Sequence, residues 1–273
     1  MKFDVVIGNP PFQSEKGTGT QPLWPLFVQR SYNLLSKDGY LAMITPNKWC
    51  GHTANVIRGN VRLYKDVFKG HLICANVQEC SKHFPTVGGY KDSFSYFVVG
   101  GKNVKHDRFT VINNAGIQDV SASAFEFLPL TNITDLSAAI IKKTRTEQSY
   151  QFSQVSTGFS NRNQGAIVIS MAQRLHYSKL RIYYDLDTEN KATSKSTVSK
   201  RTFKKSSEAK VDSIFKSKLY RFIHSIFWNN DNFATTFYNS LPFLDPEVFW
   251  TDKDIYQHFG LTQEEIDYVE ANS

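Results

Sequence analysis

The sequence has 273 residues, of which 41% are hydrophobic and 21% are charged, with 32 lysines and arginines against 25 aspartates and glutamates. This composition excludes a disordered polyelectrolyte and a coiled coil, and the length suffices for one large or two ordinary domains. The sequence shows no secretory signal and no apolar run near the roughly 20 residues of a membrane helix. We therefore expect a cytoplasmic protein with no membrane partner. Its formal charge of +7 favours a polyanionic partner.

The first 45 residues predict two strands joined by a helix. Residues 3–8 form an apolar run that ends at two prolines, which predicts a fully buried strand. Apolar residues at helical spacing predict a helix over residues 23–35. Residues 40–45 predict a second buried strand, again stopped by a proline.

The next segment predicts a helix near residues 53–67 and three further strands, near residues 72–77, 94–99 and 109–112. Alternation of strands and helices predicts an α/β fold with right-handed βαβ connections. The last two strands, which short turns separate, are expected to form an antiparallel edge.

The composition changes after about residue 115, and residues 191–221 hold ten lysines and arginines but two acids. We expect residues 191–205, which are rich in serine and threonine, to form a mobile loop before an amphipathic helix over residues 211–227. Such a patch suits contacts with a phosphate backbone, although a solvated surface would show the same charges. The predicted DNA-binding residues are Lys195, Lys200, Arg201, Lys204 and Lys205.

One tetrapeptide, Asn9-Pro10-Pro11-Phe12, points to chemistry. It follows the first predicted strand, and ligands of open α/β sheets bind beyond the carboxyl ends of strands. The Asn9 side-chain oxygen and the Pro10 carbonyl can both accept hydrogen bonds from an amino group and so orient it. Pro11 removes a competing N–H donor and stiffens the turn, and Phe12 offers a flat face for a planar ring. A simple turn at the end of a strand is the alternative interpretation.

Residues 3–12 resemble catalytic motif IV of the N6-adenine DNA methyltransferases, which reads Asn/Asp-Pro-Pro-Tyr/Phe. Residues 23–35 and 39–47 look like the next two motifs of the gamma-ordered group, especially its fused type IIG restriction–modification enzymes. Residues 83–85 with 93–99 look like the late aromatic motif and its hairpin. Segments near the carboxyl end resemble the close of their recognition domains.

The resemblance implies a partial Rossmann-like methyltransferase sheet over residues 1–115, and an α+β target-recognition region that binds double-stranded DNA over residues 116–273. It implies that a flipped adenine presents its N6 amino group to Asn9 and Pro10, with Phe12 stacked on the base. Phe84 is the predicted second aromatic wall, with Phe94 and Phe97 as competitors. The methyl donor of this family is S-adenosylmethionine.

The sequence departs from the family in its cofactor motif. In the gamma order a glycine-rich loop precedes Asn-Pro-Pro, but eight residues precede Asn9 here, and the second region contains no such loop. We expect a missing or partner segment to bind most of the cofactor, or the chain to form a homo-oligomer through an open edge at residues 3–8. We expect no metal, because the histidines show no ligand spacing.

Three functions remain open on the sequence alone. The first is adenine-N6 methyl transfer to DNA with a complementing half. The second is a non-catalytic DNA-binding or decoy subunit of a restriction–modification or phage defence system, which the missing cofactor loop favours. The third is methyl transfer to a protein glutamine or an RNA amino group, against which the long second region argues.

Overall fold

The computed structural model describes residues 1–12, 22–50, 63–79, 93–122, 132–156, 166–170, 182–184, 197–203, 205–227 and 235–273. These residues form two compact units, and the boundary falls between Ala139 and Ile140. The predicted boundary between a catalytic region and a target-recognition region, at residues 115 and 116, is a statement about function, and it stays a prediction.

The first unit contains a six-stranded mixed sheet in the order β1-β2-β4-β3-β5-β6. Its elements are β1 (Phe3–Gly8), α1 (Trp24–Leu34), β2 (Leu35–Pro46), β3 (Leu72–Glu79), β4 (Ser93–Gly100), β5 (Arg108–Asn113) and β6 (Gly116–Ser121). Strands β1 and β2 are parallel and α1 connects them, as a βαβ unit requires. The predicted α/β class and the first helix are confirmed.

Strand β1 is an edge strand, and its burial differs from the prediction. Phe3, Val5 and Ile7 are exposed, Ile7 by 78%, whereas a fully buried strand was expected. An apolar run predicts a strand with both faces covered. It does not show which segment supplies the elements that cover those faces. The expected open edge at residues 3–8 is confirmed, since no strand in the described part of the chain pairs with the outer side of β1.

Strand β4 corrects the predicted order of the sheet. It lies between β2 and β3 and is antiparallel to both, so residues 94–99 are interior rather than at the edge. The edge is formed by the hairpin of β5 and β6, of which β6 was not predicted. Alternating polar residues in β6 hid it, because Gln118 and Asp119 resemble loop residues.

Aromatic side chains form the core around β2 and β4. The Trp49 ring makes edge contacts with Phe68 and Phe97, with ring centroids 5.2 Å away in each case. Its Nε1–H donates to the Ser95 hydroxyl over 2.8 Å. This satisfied indole fixes the short 3₁₀ turn Asn47–Trp49 that follows β2.

The second unit holds an antiparallel sheet in the order β7-β10-β8-β9. Its strands are β7 (Ser153–Ser156), β8 (Ala166–Ser170), β9 (Ile182–Tyr184) and β10 (Thr197–Thr202). The expectation of a mobile loop over residues 191–205 is therefore wrong for the six residues of β10, which pair on both sides. Threonine and valine favour extended backbone, and this preference outweighs the loop-like composition.

The described part of the chain also holds a π-helix (Leu63–Phe68) and six further α-helices. The α-helices are α2 (Asp135–Lys143), α3 (Glu208–Phe215), α4 (Lys218–Phe227), α5 (Thr235–Tyr238), α6 (Asp252–His258) and α7 (Gln263–Ala271). The single helix expected over residues 211–227 is divided at Lys216 and Ser217. The Asp252 carboxylate accepts from the Lys218 backbone N–H, which starts the new helix. Among the described residues no helix is long and apolar enough to span a bilayer.

Buried tyrosines anchor the core of the second unit. The hydroxyls of Tyr150 and Tyr220 lie 2.8 Å apart, and both are buried. The Tyr150 hydroxyl also contacts the backbone of Leu244, accepting from its N–H and donating to its carbonyl. The Tyr220 hydroxyl donates to the Pro242 carbonyl. These bonds satisfy polar atoms that would otherwise be buried unpaired.

Candidate functional site

The Asn-Pro-Pro-Phe segment lies directly after β1. Asn9 and Pro11 are exposed, Pro10 is buried, and Phe12 is half-buried. The Phe12 carbonyl accepts from the Leu23 backbone N–H over 3.2 Å, which ties the end of the motif to the start of α1. The segment therefore has a buried anchor at Pro10 and presents the Asn9 amide to the surroundings.

Gly8 allows β1 to pack closely on β2 just before this motif. A Cβ at Gly8 would lie 3.3 Å from the Met43 methyl carbon. Gly8 pairs with Met43 in the parallel register, so the carboxyl ends of both strands lie at the same edge of the sheet. This is the edge at which open α/β sheets bind ligands.

The end of β2 brings buried polar groups to that edge. Thr45 is fully buried, and its hydroxyl donates to the Pro46 carbonyl over 3.2 Å. Asn47 is also buried, at 3% exposure, and neither its Oδ1 nor its Nδ2 has a hydrogen-bond partner. Sequence reasoning used Asn47 only within a motif resemblance and missed it as a site residue. A polar residue one position after a strand-ending proline was the available signal.

Two titratable side chains of the first unit favour their neutral forms. Burial, together with the nearby Cys50, raises the pKa of the Tyr64 hydroxyl, which donates to the Ala122 carbonyl. Burial likewise raises the pKa of the Cys74 thiol on β3. At the sheet edge itself, the Asn9 and Asn47 amides and the Phe12 ring are groups of the kind that bind a flipped base.

The remaining predicted site residues are described in part or not at all. Phe84, Lys195 and Lys204 lie outside the described residues, so their predicted roles stay predictions. Lys200 and Arg201 lie in β10, opposite Val168 and Ile167 of β8, and Lys205 begins a 3₁₀ turn. Over the described ranges, no group of three or more histidine, cysteine, aspartate or glutamate side chains could hold a metal ion.

Residues 1–65 match the family model of the Eco57I restriction-modification methylase. A curated relative from Mycoplasma pneumoniae, described as an uncharacterized adenine-specific methylase, is 39% identical over 75 residues. That match covers 24% of this chain and 17% of the relative, so the chain spans less than a fifth of its length. The family-model match includes the Asn-Pro-Pro-Phe segment, and both matches confirm the predicted resemblance to the adenine methyltransferases of restriction–modification systems.

Two solved structures show a weaker similarity. The M protein of the type I restriction enzyme EcoKI is 16% identical, with a TM-score of 0.32 over 99% of this chain and 48% of that chain. A chain from a type I restriction–modification assembly is 16% identical, with a TM-score of 0.31 over 52% of this chain and 29% of that chain. Similarity at this level does not establish a shared fold.

Proposed function

We propose that this chain, whose first 65 residues match the methylases of restriction–modification systems, holds the target-base pocket of a DNA adenine-N6 methyltransferase. The residues from the second unit would contact the duplex around the target. The observation that carries the proposal is the exposed Asn9 amide beside the buried Pro10, at the carboxyl end of a parallel strand.

The pocket would act by orienting an amino group. Adenine N6 carries two hydrogens, and the Asn9 Oδ1 and the Pro10 carbonyl supply one acceptor each. Two acceptors on one amino group draw its lone pair out of the ring and aim it at an electrophile. Because an adenine in the duplex cannot reach such a pocket, the base must flip out. Phe12, half-buried and tied to α1, offers a face for the flipped ring.

The methyl donor implied by the family is S-adenosylmethionine, and we propose that a further segment completes its site. The sequence contains no glycine-rich loop of the family's type, and the outer edge of β1 carries no strand within the described residues. A further segment, on the same polypeptide or on another, would supply its binding site.

The exposed surface at β1 supports such a segment. Val5 and Ile7 on β1 and Phe27 and Leu34 on α1 are large apolar side chains that are each more than 40% exposed. An unpaired strand edge with apolar side chains readily pairs with another chain. A parallel strand added at this edge would place β1 in the interior of the sheet, and its connecting helix would cover part of this apolar surface.

A genetic experiment in the source organism tests the function. Deleting the gene should remove N6-methyladenine from one sequence motif, as read by single-molecule sequencing of genomic DNA. Wild-type chain should restore it, and Asn9→Ala should not, because the amino group loses one of its two acceptors. Asn103→Ala is the matched control, since Asn103 is exposed and bonds Asp38 at the other end of β2.

Two results would contradict the proposal. The first is unchanged genomic methylation in the deletion strain, which would favour a non-catalytic DNA-binding subunit. The second is full restoration by Asn9→Ala. A calorimetric titration of S-adenosylmethionine into the pure 273-residue chain then tests whether a further segment is needed to bind the cofactor. We expect no binding, and micromolar binding would show that the cofactor site lies within these residues.

A further inference from the structure

Asn47 is a buried amide whose polar atoms bind nothing in the protein. Its side chain is 3% exposed, and both Oδ1 and Nδ2 are without a hydrogen-bond partner. A buried unpaired polar group costs about 1–3 kcal/mol. Such a group in a folded protein calls for an explanation, such as a catalytic role or a bound water molecule.

The backbone around Asn47 is firmly held. Its carbonyl accepts from the Cys50 backbone N–H over 3.1 Å and from the Cys50 thiol over 2.7 Å. Two residues on, the Trp49 indole bonds Ser95 and packs against Phe68 and Phe97. The turn therefore holds the unpaired amide in a fixed position, as in a preorganised binding site.

The position of Asn47 relates it to the base pocket. Strand β1 pairs with β2 through Gly8 and Met43, and continuing that register places Pro10 level with Thr45. Asn47 follows Thr45 by two residues, about 7 Å farther along the strand direction. The motif and the turn thus follow neighbouring strands at the same edge of the sheet, from which the Asn9 and Asn47 side chains can approach one base.

We propose that the Nδ2–H of Asn47 donates a hydrogen bond to N1 of the target adenine, so that Asn47 reads the identity of the base. This inference rests on the proposed function. A flipped base is read through its Watson–Crick edge, where adenine presents the N6 amino group and the N1 acceptor. Asn9 and Pro10 use both hydrogens of N6, which leaves N1 for a separate donor. A water molecule that enters with the base can satisfy Oδ1.

The arrangement discriminates adenine from guanine. Guanine carries a carbonyl oxygen at C6 and a hydrogen on N1, so the Asn9 and Pro10 acceptors would face an acceptor and the Nδ2–H of Asn47 would face a donor. A site built to bond one polar group rejects a ligand that leaves its own polar atoms unpaired. Cytosine also offers an acceptor beside an amino group, so Asn47 does not by itself exclude cytosine.

Substitution by leucine separates a binding role from a structural one. Because the Asn47 side chain has no partner to lose, Asn47→Leu should leave the melting temperature unchanged or raise it. Asn76→Leu is the control, since Asn76 is also buried and its Nδ2 donates to the Tyr96 hydroxyl. It should lower the melting temperature. A similar fall in Asn47→Leu would show that a buried water or an internal partner explains Asn47, and would overturn the inference.

Nuclear magnetic resonance of the chain labelled with ¹⁵N-asparagine measures the contact itself. Adenosine is titrated against 1-deazaadenosine, which retains the amino group and lacks N1. Adenosine should shift the side-chain signals of Asn9 and Asn47, whereas 1-deazaadenosine should shift Asn9 and leave Asn47 in place. Asn47→Leu should weaken adenosine binding about tenfold, the loss of one good hydrogen bond.

The outcomes distinguish this inference from the function on which it rests. Shifts at Asn9 without shifts at Asn47 overturn the role of Asn47 and leave the adenine pocket standing, as do equal Asn47 shifts with both nucleosides. If adenosine shifts neither signal, the adenine pocket is contradicted, and the role of Asn47 fails with it.

Discussion

At the scale of single residues, the space around Gly39 and Gly8 shows how closely β1 packs against β2. A Cβ on Gly39 would lie 2.8 Å from the Asp4 carbonyl oxygen and 2.9 Å from that of Phe3. These are backbone atoms of the paired strand, so they cannot move without separating the strands. A Cβ on Gly8, in contrast, would meet the flexible end of the Met43 side chain.

These environments predict different effects for the same substitution. Gly39→Ala should destabilise the chain by about 2 kcal/mol or more, since it forces backbone apart. Gly8→Ala should change the stability by less than about 1 kcal/mol, because Met43 can adopt another rotamer. Urea unfolding of the two variants beside the wild type measures the difference. Equal losses of stability would contradict the assigned contacts.

His224 predicts a pH dependence of stability. Burial lowers its pKa to about 4, although the bond between its Nδ1 and the Tyr220 carbonyl acts in the opposite direction. The unfolded chain, with an ordinary histidine pKa of 6.5, therefore binds the proton first as the pH falls. Between pH 6.5 and about 4, this residue should lower the free energy of unfolding by about 1.4 kcal/mol for each pH unit.

Thermal melts between pH 7.5 and 4 check this slope. His224→Gln should flatten it, because glutamine keeps a hydrogen-bond donor and does not titrate in this range. His258→Gln is the control, since His258 is exposed on α6 and should leave the slope as it is. A slope that survives in His224→Gln would mean that another group titrates.

At the scale of elements, the exposed edge strand predicts self-association of the isolated chain. Ile7→Lys places a charge on the 78% exposed position of β1, where it should block edge pairing and leave the fold unchanged. Ile117→Lys is the matched control, because Ile117 is 74% exposed on the opposite edge strand, β6. Sedimentation velocity should show a smaller oligomer fraction for Ile7→Lys alone. Dissociation by Ile117→Lys instead would assign the association to β6.

The helix α7 depends on a charge that lies partly buried at its start. Burial acts to raise the pKa of Glu265, but the Lys143 ammonium and the bonds of its capping box with Thr262 lower it overall. Because its folded pKa lies below the unfolded value of 4.5, its stabilising effect is complete above that pH and is lost as the pH falls below it.

Glu265→Gln should therefore lower stability by about 1–2 kcal/mol at neutral pH, since the cap weakens and Lys143 loses its partner. The difference from the wild type should shrink as the pH falls from about 5 to 3. Glu264→Gln, an exposed neighbour in the first turn, is the control. A Glu265→Gln difference that stays constant down to pH 3 would contradict the ionic contribution.

The sequence predicted the positions of individual strands better than it predicted which strands lie side by side in the sheet. The apolar runs identified β1, β2 and β4, because residue types report local extended structure. They predicted that β1 is fully buried and that β4 belongs to an edge, whereas β1 is exposed and β4 lies inside the sheet. Strand order depends on contacts between distant segments, which composition does not record. For the same reason the Asn9 motif was visible in the sequence, whereas the unpaired amide of Asn47 needed the fold.

At the scale of the whole molecule, the charge is concentrated in one segment. The chain has a net charge of +7 from 32 basic and 25 acidic residues, and residues 191–221 contribute +8 from ten basic and two acidic residues. The rest of the chain therefore sums to −1. This segregation predicts that duplex binding depends on the basic segment and falls steeply with salt.

A variant in which five basic residues are replaced by glutamine tests the DNA-binding prediction for the basic segment. Each phosphate contact contributes about −0.9 to the slope of log affinity against log salt, so losing all five should reduce the magnitude of that slope by about 4.5. The substituted residues are Lys195, Lys200, Arg201, Lys204 and Lys205. The control removes the same charge from exposed lysines elsewhere, namely Lys2, Lys37, Lys102, Lys105 and Lys142.

Fluorescence anisotropy with a labelled duplex between 50 and 300 mM salt gives both slopes. If contact with phosphates is local, the first variant loses affinity and slope while the control retains both. If the two variants behave alike, net charge alone attracts the duplex, and the basic segment has no special role. Because neither variant changes Asn9 or Asn47, an effect of the first on DNA methylation would come from weaker duplex binding, and saturating DNA should reverse it.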